Sequence, residues 1–432
     1  MKKRNVLALI SMILASVMLF SLCACTAGNN AETESAETES TEVLVNEEST
    51  EVLVNEGNAK NANYESSDAT PESFSAELLR LSYDGKNTLI SPLSVAMALA
   101  MVAEGAEGNT AKEFSDLFGG MSADEVSTYF KNYMDSLNSY SDPDLANSVW
   151  IREADYFTVK ESFTDTVRRF YGADAFTRPF NDDTVNEINS WIKENTDGMI
   201  EKIIEELDQD CVMALVNTVL FEAEWLEKYD EDHVRDGEFT AIDGTKKKVS
   251  MMSSSEYSYL ENGAATGFMK PYKGGKYAFA ALLPKDGTTI DELIDSLDGE
   301  MLRETLSGVS NEKVITKMPQ FEYDFGIEMG EILQKMGLRD AFDPGAADFS
   351  GISDDAQELL LYIGRVLHKT RIELTPVGTK AGAATVVEMW SESAPATKHP
   401  KKVYLDRPFV YMIVDTDTKL PIFIGAVTDI GE

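Results

Sequence analysis

Residues 378–400 read GTKAGAATVVEMWSESAPATKHP. The first part is built from small side chains, the second from polar residues and proline. Thr379, Ala381, Ala383, Thr385, Val387 and Met389 fall on one parity. Lys380, Gly382, Ala384, Val386, Glu388 and Trp390 fall on the other. Side chains alternate across a strand, so in extended form the first set faces a core while both charged residues face away. A flexible surface loop is the plainer reading of such a composition. The alternation adds that this loop has the pattern of a β-strand, with nothing bulky in its first half to prevent entry between two existing strands.

Upstream of this loop the chain is first helical, then stranded. Phe74, Leu78 and Leu81 have i, i+4, i+7 spacing, the stripe of an amphipathic helix. In ISPLSVAMALAMVAEGA, Ser91 is an expected N-cap, Pro92 the first helical residue and Gly105 the stop. Thr110-x-x-Glu113, Ser122-x-x-Glu125 and Thr184-x-x-Glu187 have the capping-box pattern. Gly198 is expected to close the helix that the last of these opens. Ala214 to Phe221 and Tyr277 to Leu283 are short apolar runs, predicted strands. Phe409 to Val414 and Ile422 to Val427 flank Asp415-Thr416-Asp417-Thr418 as a predicted hairpin. Helices early and strands late indicate an α+β domain with mainly antiparallel sheets.

The N-terminal segment is read apart from that domain. Met1-Lys2-Lys3-Arg4 followed by the apolar run Val6 to Phe20 has the form of a secretory signal peptide. The run is short for a bilayer span, which takes about 20 apolar residues. Leu22-Cys23-Ala24-Cys25 resembles the bacterial lipobox, whose last cysteine is acylated and becomes the new N-terminus. Residues 1–24 are thus expected to be a lipoprotein signal peptide, with lipid on Cys25 and the protein on the outer face of a bacterial envelope. Residues 25–66 hold AETES at Ala31 and Ala36 and STEVLVNE at Ser40 and Ser49. Acidic and polar, with few aromatics, they are expected to be a disordered tether, and 67–432 the folded domain. Cleavage before Cys25 leaves Cys211 as the one unmodified cysteine and no internal disulfide. Beside an apolar run, Cys211 is expected to be a small buried residue rather than a nucleophile.

The charge and the missing motifs narrow the function. The 432 residues hold 75 Asp and Glu against 38 Lys and Arg, a formal net charge of −37. Such a surface repels phosphate backbones, which argues against nucleic-acid partners. There is no G-x-S-x-G, H-E-x-x-H, C-x-x-C or P-loop, and only three histidines, His233, His368 and His399. Neither catalysis nor a cofactor or metal is expected.

Several long motifs in one order resemble the serpin family. They are residues 87–114 (NTLISPLSVAMALAMVAEGAEGNTAKEF), LANSVW, INSWIKENTDGMI, LVNTVLFEAEW, Met251-Met252, LPKDG, MGLRDAF, ADFSGI, HKTRIEL, GTKAGAAT and RPFVYMIV…LPIFIGAV. The resemblance spans essentially all of residues 67–432. It implies three β-sheets, eight or nine helices and an exposed reactive-centre loop. It also implies inhibition of extracellular serine proteases by trapping: the loop is cleaved, the acyl-enzyme persists, and the cut loop enters the central sheet, releasing stored strain. By the same resemblance Gly378, Thr379, Ala381, Gly382, Ala383 and Ala384 form the hinge. Ser91, Ser94, Asn217 and His368 form the hydrogen-bonded shutter beneath the sheet, and Trp225 marks the breach at its top.

Family spacing puts the reactive bond at Glu392-Ser393, or at Ser393-Ala394 one residue on. Glu392 suits an acid-specific protease. Val387, Met389, Ser393 and Ala394 suit an elastase-like or subtilisin-like one, favoured by a small margin. Pro376-Val377 depart from the family, which usually has charged residues before the hinge glycine; a residue without an N–H there bears on insertion speed. A monomer is expected, partnered by the protease in a covalent complex and by the membrane through the lipid. The competing readings are a non-inhibitory serpin acting as a binding module and an unrelated solute-binding lipoprotein.

Overall fold

The computed structural model describes residues 69–137, 143–155, 157–207, 211–379 and 400–431. Nine α-helices lie among them, α1 (Pro71–Ser82), α2 (Pro92–Ala103), α3 (Gly108–Leu117), α4 (Ala123–Ser136), α5 (Glu161–Tyr171), α6 (Asp182–Asn195), α7 (Ile290–Ser296), α8 (Gly299–Ser307) and α9 (Gly330–Lys335). Seventeen strands accompany them, numbered in chain order.

The largest sheet has six strands in the order β1 (Thr88–Ile90), β17 (Pro421–Val427), β16 (Phe409–Asp415), β10 (Tyr277–Pro284), β9 (Ala265–Pro271) and β8 (Tyr259–Glu261). It is antiparallel throughout and lies inside the molecule. Along β16, Val410, Met412 and Val414 enter one core while Phe409, Tyr411 and Ile413 enter another. A strand buried on both faces needs apolar residues at every position, which is why β10, β16 and β17 read as unbroken apolar runs. β16 and β17 are the predicted hairpin. Asp415 Oδ1 closes its turn by accepting from Asp417 N at 2.9 Å and Thr418 N at 3.0 Å.

A second sheet has the order β15 (Lys401–Tyr404), β11 (Val314–Pro319), β7 (Lys246–Glu256) and β6 (Val234–Thr240). The remaining strands fall into two groups. One is β12 (Phe321–Glu328), β13 (Leu367–Leu374), β14 (Gly378–Thr379) and β5 (Ala223–Glu224). The other is β3 (Asp174–Arg178), β2 (Asp144–Arg152) and β4 (Met213–Leu220). Only Phe221 and Glu222 separate β4 from β5, so the two groups are joined along the chain. No pairing between β4 and β13 occurs among the described residues. Where three sheets were expected, the hydrogen bonding therefore divides into four. Helix α6 covers the β3-β2-β4 group, with Ile188, Trp191 and Ile192 packed with Trp150 and Val216.

The helix starts divide the sequence expectations. Ser91 caps α2 and accepts from Ser94 N, and Ser122 with Glu125 forms a full capping box on α4. The other two boxes are corrected. Thr110 lies inside α3, fully buried, its Oγ1 accepting from Asp348 N at 2.9 Å. Thr184 is the third residue of α6, whose cap is Asn181. Gly105 does follow α2, but for space: a Cβ there would lie 2.0 Å from Ile352 Cγ1. Gly198 sits past α6 with φ +78°, a left-handed backbone suited to glycine. Cys211 is in no disulfide among the described residues, is half-buried rather than buried, donates to Met213 O at 3.4 Å and packs beside the Trp150 cluster. No described helix is long and apolar enough to cross a membrane. The described residues hold no group of three His, Cys, Asp or Glu placed to bind a metal.

Candidate functional site

The expected hinge begins where β13 ends. After Leu374 the chain turns through Thr375, Pro376 and Val377 and returns as β14, which pairs antiparallel with β13 on one side and β5 on the other. Thr375 closes the turn. Its N–H donates to Gly378 O at 2.9 Å, and its Oγ1 accepts from Val377 N and Gly378 N at 3.3 Å each. The three turn carbonyls are met by one neighbouring segment. Trp225 Nε1 donates to Thr375 O at 2.9 Å, Tyr229 N to Pro376 O at 3.0 Å and Trp225 N to Val377 O at 2.9 Å. Pro376 thus stands where the carbonyl, not an N–H, is what the structure uses, so the departure from the family pattern is accommodated in the turn.

Gly378 is required by close approach. A Cβ on it would stand 2.1 Å from Ala223 O and 2.8 Å from Glu224 Cα, so any larger residue pushes β14 away from β5. Thr379 turns its side chain inward, 3% exposed, and shares a hydrogen bond of 2.6 Å with the Tyr272 hydroxyl. Tyr272 stacks on Trp225, centroids 4.5 Å apart and planes 11° from parallel. Beneath them Lys270, 2% exposed, donates to Glu256 Oε1 at 3.0 Å, with its Nζ 4.5 Å from the Tyr229 ring centroid. A buried charge is tolerable only when paired and hydrogen-bonded. Glu256 also accepts from Ser254 Oγ at 2.6 Å.

Lower in the molecule, a polar chain joins the two strand groups that do not pair. His368 on β13 accepts on Nε2 from Ser91 N at 3.1 Å. Ser91 Oγ donates to Ile422 O at 2.8 Å and accepts from Ser94 N at 3.2 Å. Ser94 Oγ donates to Asn217 Oδ1 on β4. Asn217 Nδ2 donates to Asn147 Oδ1 on β2 at 2.6 Å, and Asn147 Nδ2 to Tyr171 O at 2.7 Å. The N-terminus of α2 is therefore the bracket holding β13 on one side and β4 on the other. Accepting on Nε2 requires a neutral ring, and burial lowers the His368 pKa to about 4.

The structure brings together the four expected shutter residues and places Trp225 over the start of the hinge. Thr379 is buried, and so is Gly378 of the other parity. Ala381, Gly382, Ala383, Ala384, the reactive bond at Glu392, Ser393 or Ala394, and Cys25 lie outside the described residues. Sequence reasoning did not find Asn147, Tyr272, Lys270 or Glu256. LANSVW contains the first, but only the β2–β4 register, Asn147 opposite Asn217, shows its use.

Comparison with known proteins agrees with this architecture. Residues 69–430 match the family model Serpin (serine protease inhibitor). The native-state crystal structure of the thermophilic serpin tengpin aligns with a TM-score of 0.77 and 38% identity, over 87% of this chain and 96% of tengpin. A serpin-like protein of Thermococcus kodakarensis is 30% identical over 362 residues, 82% of this chain and 83% of that protein. Serine proteinase inhibitor A3K of Cavia porcellus is 29% identical, over 79% and 83%. This chain belongs to the serpin family, whose members are usually protease inhibitors.

Proposed function

We propose that the chain inhibits extracellular serine proteases as a suicide substrate, with elastase-like or subtilisin-like enzymes as targets. The observation that carries this reading is β14: the first two hinge residues already form a strand between β13 and β5. Immediately below, β13 and β4 face one another with no pairing between them and with Ile372, Thr379 and Phe221 lining a crevice. A strand continued from Thr379 in this direction adds ladder hydrogen bonds to both groups.

In the proposed reaction the protease serine oxygen attacks the carbonyl carbon of Glu392, or of Ser393 in the alternative register. The C–N bond breaks, the new amine leaves with the following residue, and the acyl group stays on the protease as an ester. Insertion then competes with attack of water on that ester. The chain acts as inhibitor, not as enzyme, and needs no cofactor. The lipobox at Cys25 and the acidic tether support attachment to the outer face of the envelope.

The test is incubation of the 67–432 domain with a panel of serine proteases. SDS-stable complexes are expected with the elastase-like or subtilisin-like members. Cleavage without complex supports a non-inhibitory binding module instead, and a complex only with an acid-specific enzyme moves the target to one that reads Glu392.

A further inference from the structure

Residues 380–399 run directly into β15, an edge strand. On β15, Val403 is buried opposite Thr316 of β11, while Lys402 and Tyr404 lie on the outer face opposite Ile315 and Lys317. Lys317 Nζ stands 4.9 Å from the centroid of the Tyr404 ring. Lys313, one residue before β11, has the parity of Ile315 and Lys317, and its carbonyl accepts from Lys401 N at 3.0 Å. Residues four apart on a strand are about 13 Å apart and neighbouring strands about 4.8 Å. Lys402 is therefore flanked by Lys313 and Lys317, and the three exposed ammonium groups form a triangle on one face.

None of the three has a carboxylate partner among the described residues. Several other cations of this sheet and of the segments flanking it are paired. Lys401 lies 3.7 Å and Lys285 3.0 Å from Glu261, and Arg407 lies 3.4 Å from Asp406. Lys246 pairs with Glu238, and Lys247 with Asp429. On β7 the residues opposite Ile315 and Lys317 are Ser255 and Ser253, uncharged. Beyond the last register pair, Val314 with Glu256, the chain continues to Tyr257, 53% exposed. In a chain of net charge −37, this face carries three lysines and no acid at the register positions named.

We propose that this face docks an acidic patch on the protease that attacks the loop, so that it selects serine proteases that are acidic on the side binding residues after the cut bond. The proposal rests on the inhibitor reading above. Lys402 follows Ser393 by nine residues, which span at most about 30 Å. A protease domain of about 230 residues is roughly 45 Å across, so an enzyme seated on the reactive bond overhangs β15. Charges at the rim of an interface act on encounter more than on residence. Cleavage leaves β15 with the inhibitor body, so the face governs the rate of encounter and not the stability of the trapped product.

The experiment uses whichever serine proteases form SDS-stable complexes with the wild-type protein. Lys313→Glu/Lys317→Glu/Lys402→Glu is expected to lower the second-order rate of complex formation at least tenfold or so at low ionic strength. The gap should narrow with added salt, while the moles of inhibitor consumed per protease stay unchanged. Lys335→Glu, at an exposed lysine of α9 with no ion pair among the described residues, is the control for net charge. Equal rates for the triple variant and wild type at low salt, or the same loss per charge from Lys335→Glu, overturn the proposal. A wild type that traps no protease at all overturns the inhibitor reading, and this proposal with it.

Discussion

Thr379 Oγ1 and Tyr272 Oη lie 2.6 Å apart with both side chains buried, a single hydrogen bond between the first turned-in hinge residue and the aromatic stack beneath it. Removing one partner strands the other in a dry site, at about 1–3 kcal/mol, whereas removing both restores a matched apolar pair. Tyr272→Phe and Thr379→Val should each lower the midpoint of urea unfolding. The double variant should lose clearly less than the sum. Strict additivity in that cycle would show that the pair does not hold β14 in place.

His368 makes stability depend on pH in a defined window. Its folded pKa is lowered from 6.5 to about 4 by burial, so between those values the unfolded chain binds the extra proton. The contribution is whole above pH 6.5 and is lost as pH falls towards 4, on the order of 3 kcal/mol in all. Protonation also removes the acceptor that Ser91 N uses. Unfolding measured from pH 7 to 4 should fall more steeply for wild type than for His368→Gln. Parallel profiles would mean that the ring is not held neutral by its surroundings.

The sequence shows local chemistry well and distant partners poorly. Ser91-Pro92 starts a helix because the cap and its donor are three residues apart, and the hairpin of β16 and β17 announces itself by two apolar runs around an Asp-led turn. Thr110 and Thr184 deceive because a capping box depends on which N–H groups are the first without partners. Asn181 takes that place in one helix, and in the other Thr110 is used by Asp348, far along the chain. Family resemblance singled out Ser91, Ser94, Asn217 and His368, which the structure joins in one hydrogen-bonded chain, and Gly378 and Thr379 of the expected hinge, which form β14. Lys270, Glu256, Tyr272 and Asn147 acquire their roles only from strand register, which no local pattern reveals. Pro376 stood out as an anomaly in the sequence, and the turn carbonyls explain it.

Ala381 and Ala383 share the sequence parity of Thr379, the set expected to face the core once the loop inserts. Ala383→Arg should leave the uncut protein folded, but on insertion it would bury a charge without a partner, at a cost of several kcal/mol. Slower insertion favours hydrolysis of the acyl bond. The variant should be cut at the same bond and release active protease with little complex, while Lys380→Ala, on the other parity, keeps inhibiting. Wild-type stoichiometry from Ala383→Arg would exclude insertion in this register.

Attachment is tested at Cys25. Cys25→Ala should release the protein from the membrane fraction or stall its processing. A variant that is processed normally and stays membrane-bound would rule out the lipid.

The central claim is that the sheet gains a strand when the loop is cut, and thermal unfolding of intact and loop-cleaved protein measures it directly. An inserted strand adds ladder hydrogen bonds on both of its edges and buries the inward side chains of the loop, which together are expected to outweigh the cost of ordering it. The account predicts that the cleaved protein melts well above the intact one. A Tm that stays the same or falls, as for an ordinary nicked surface loop, would contradict it.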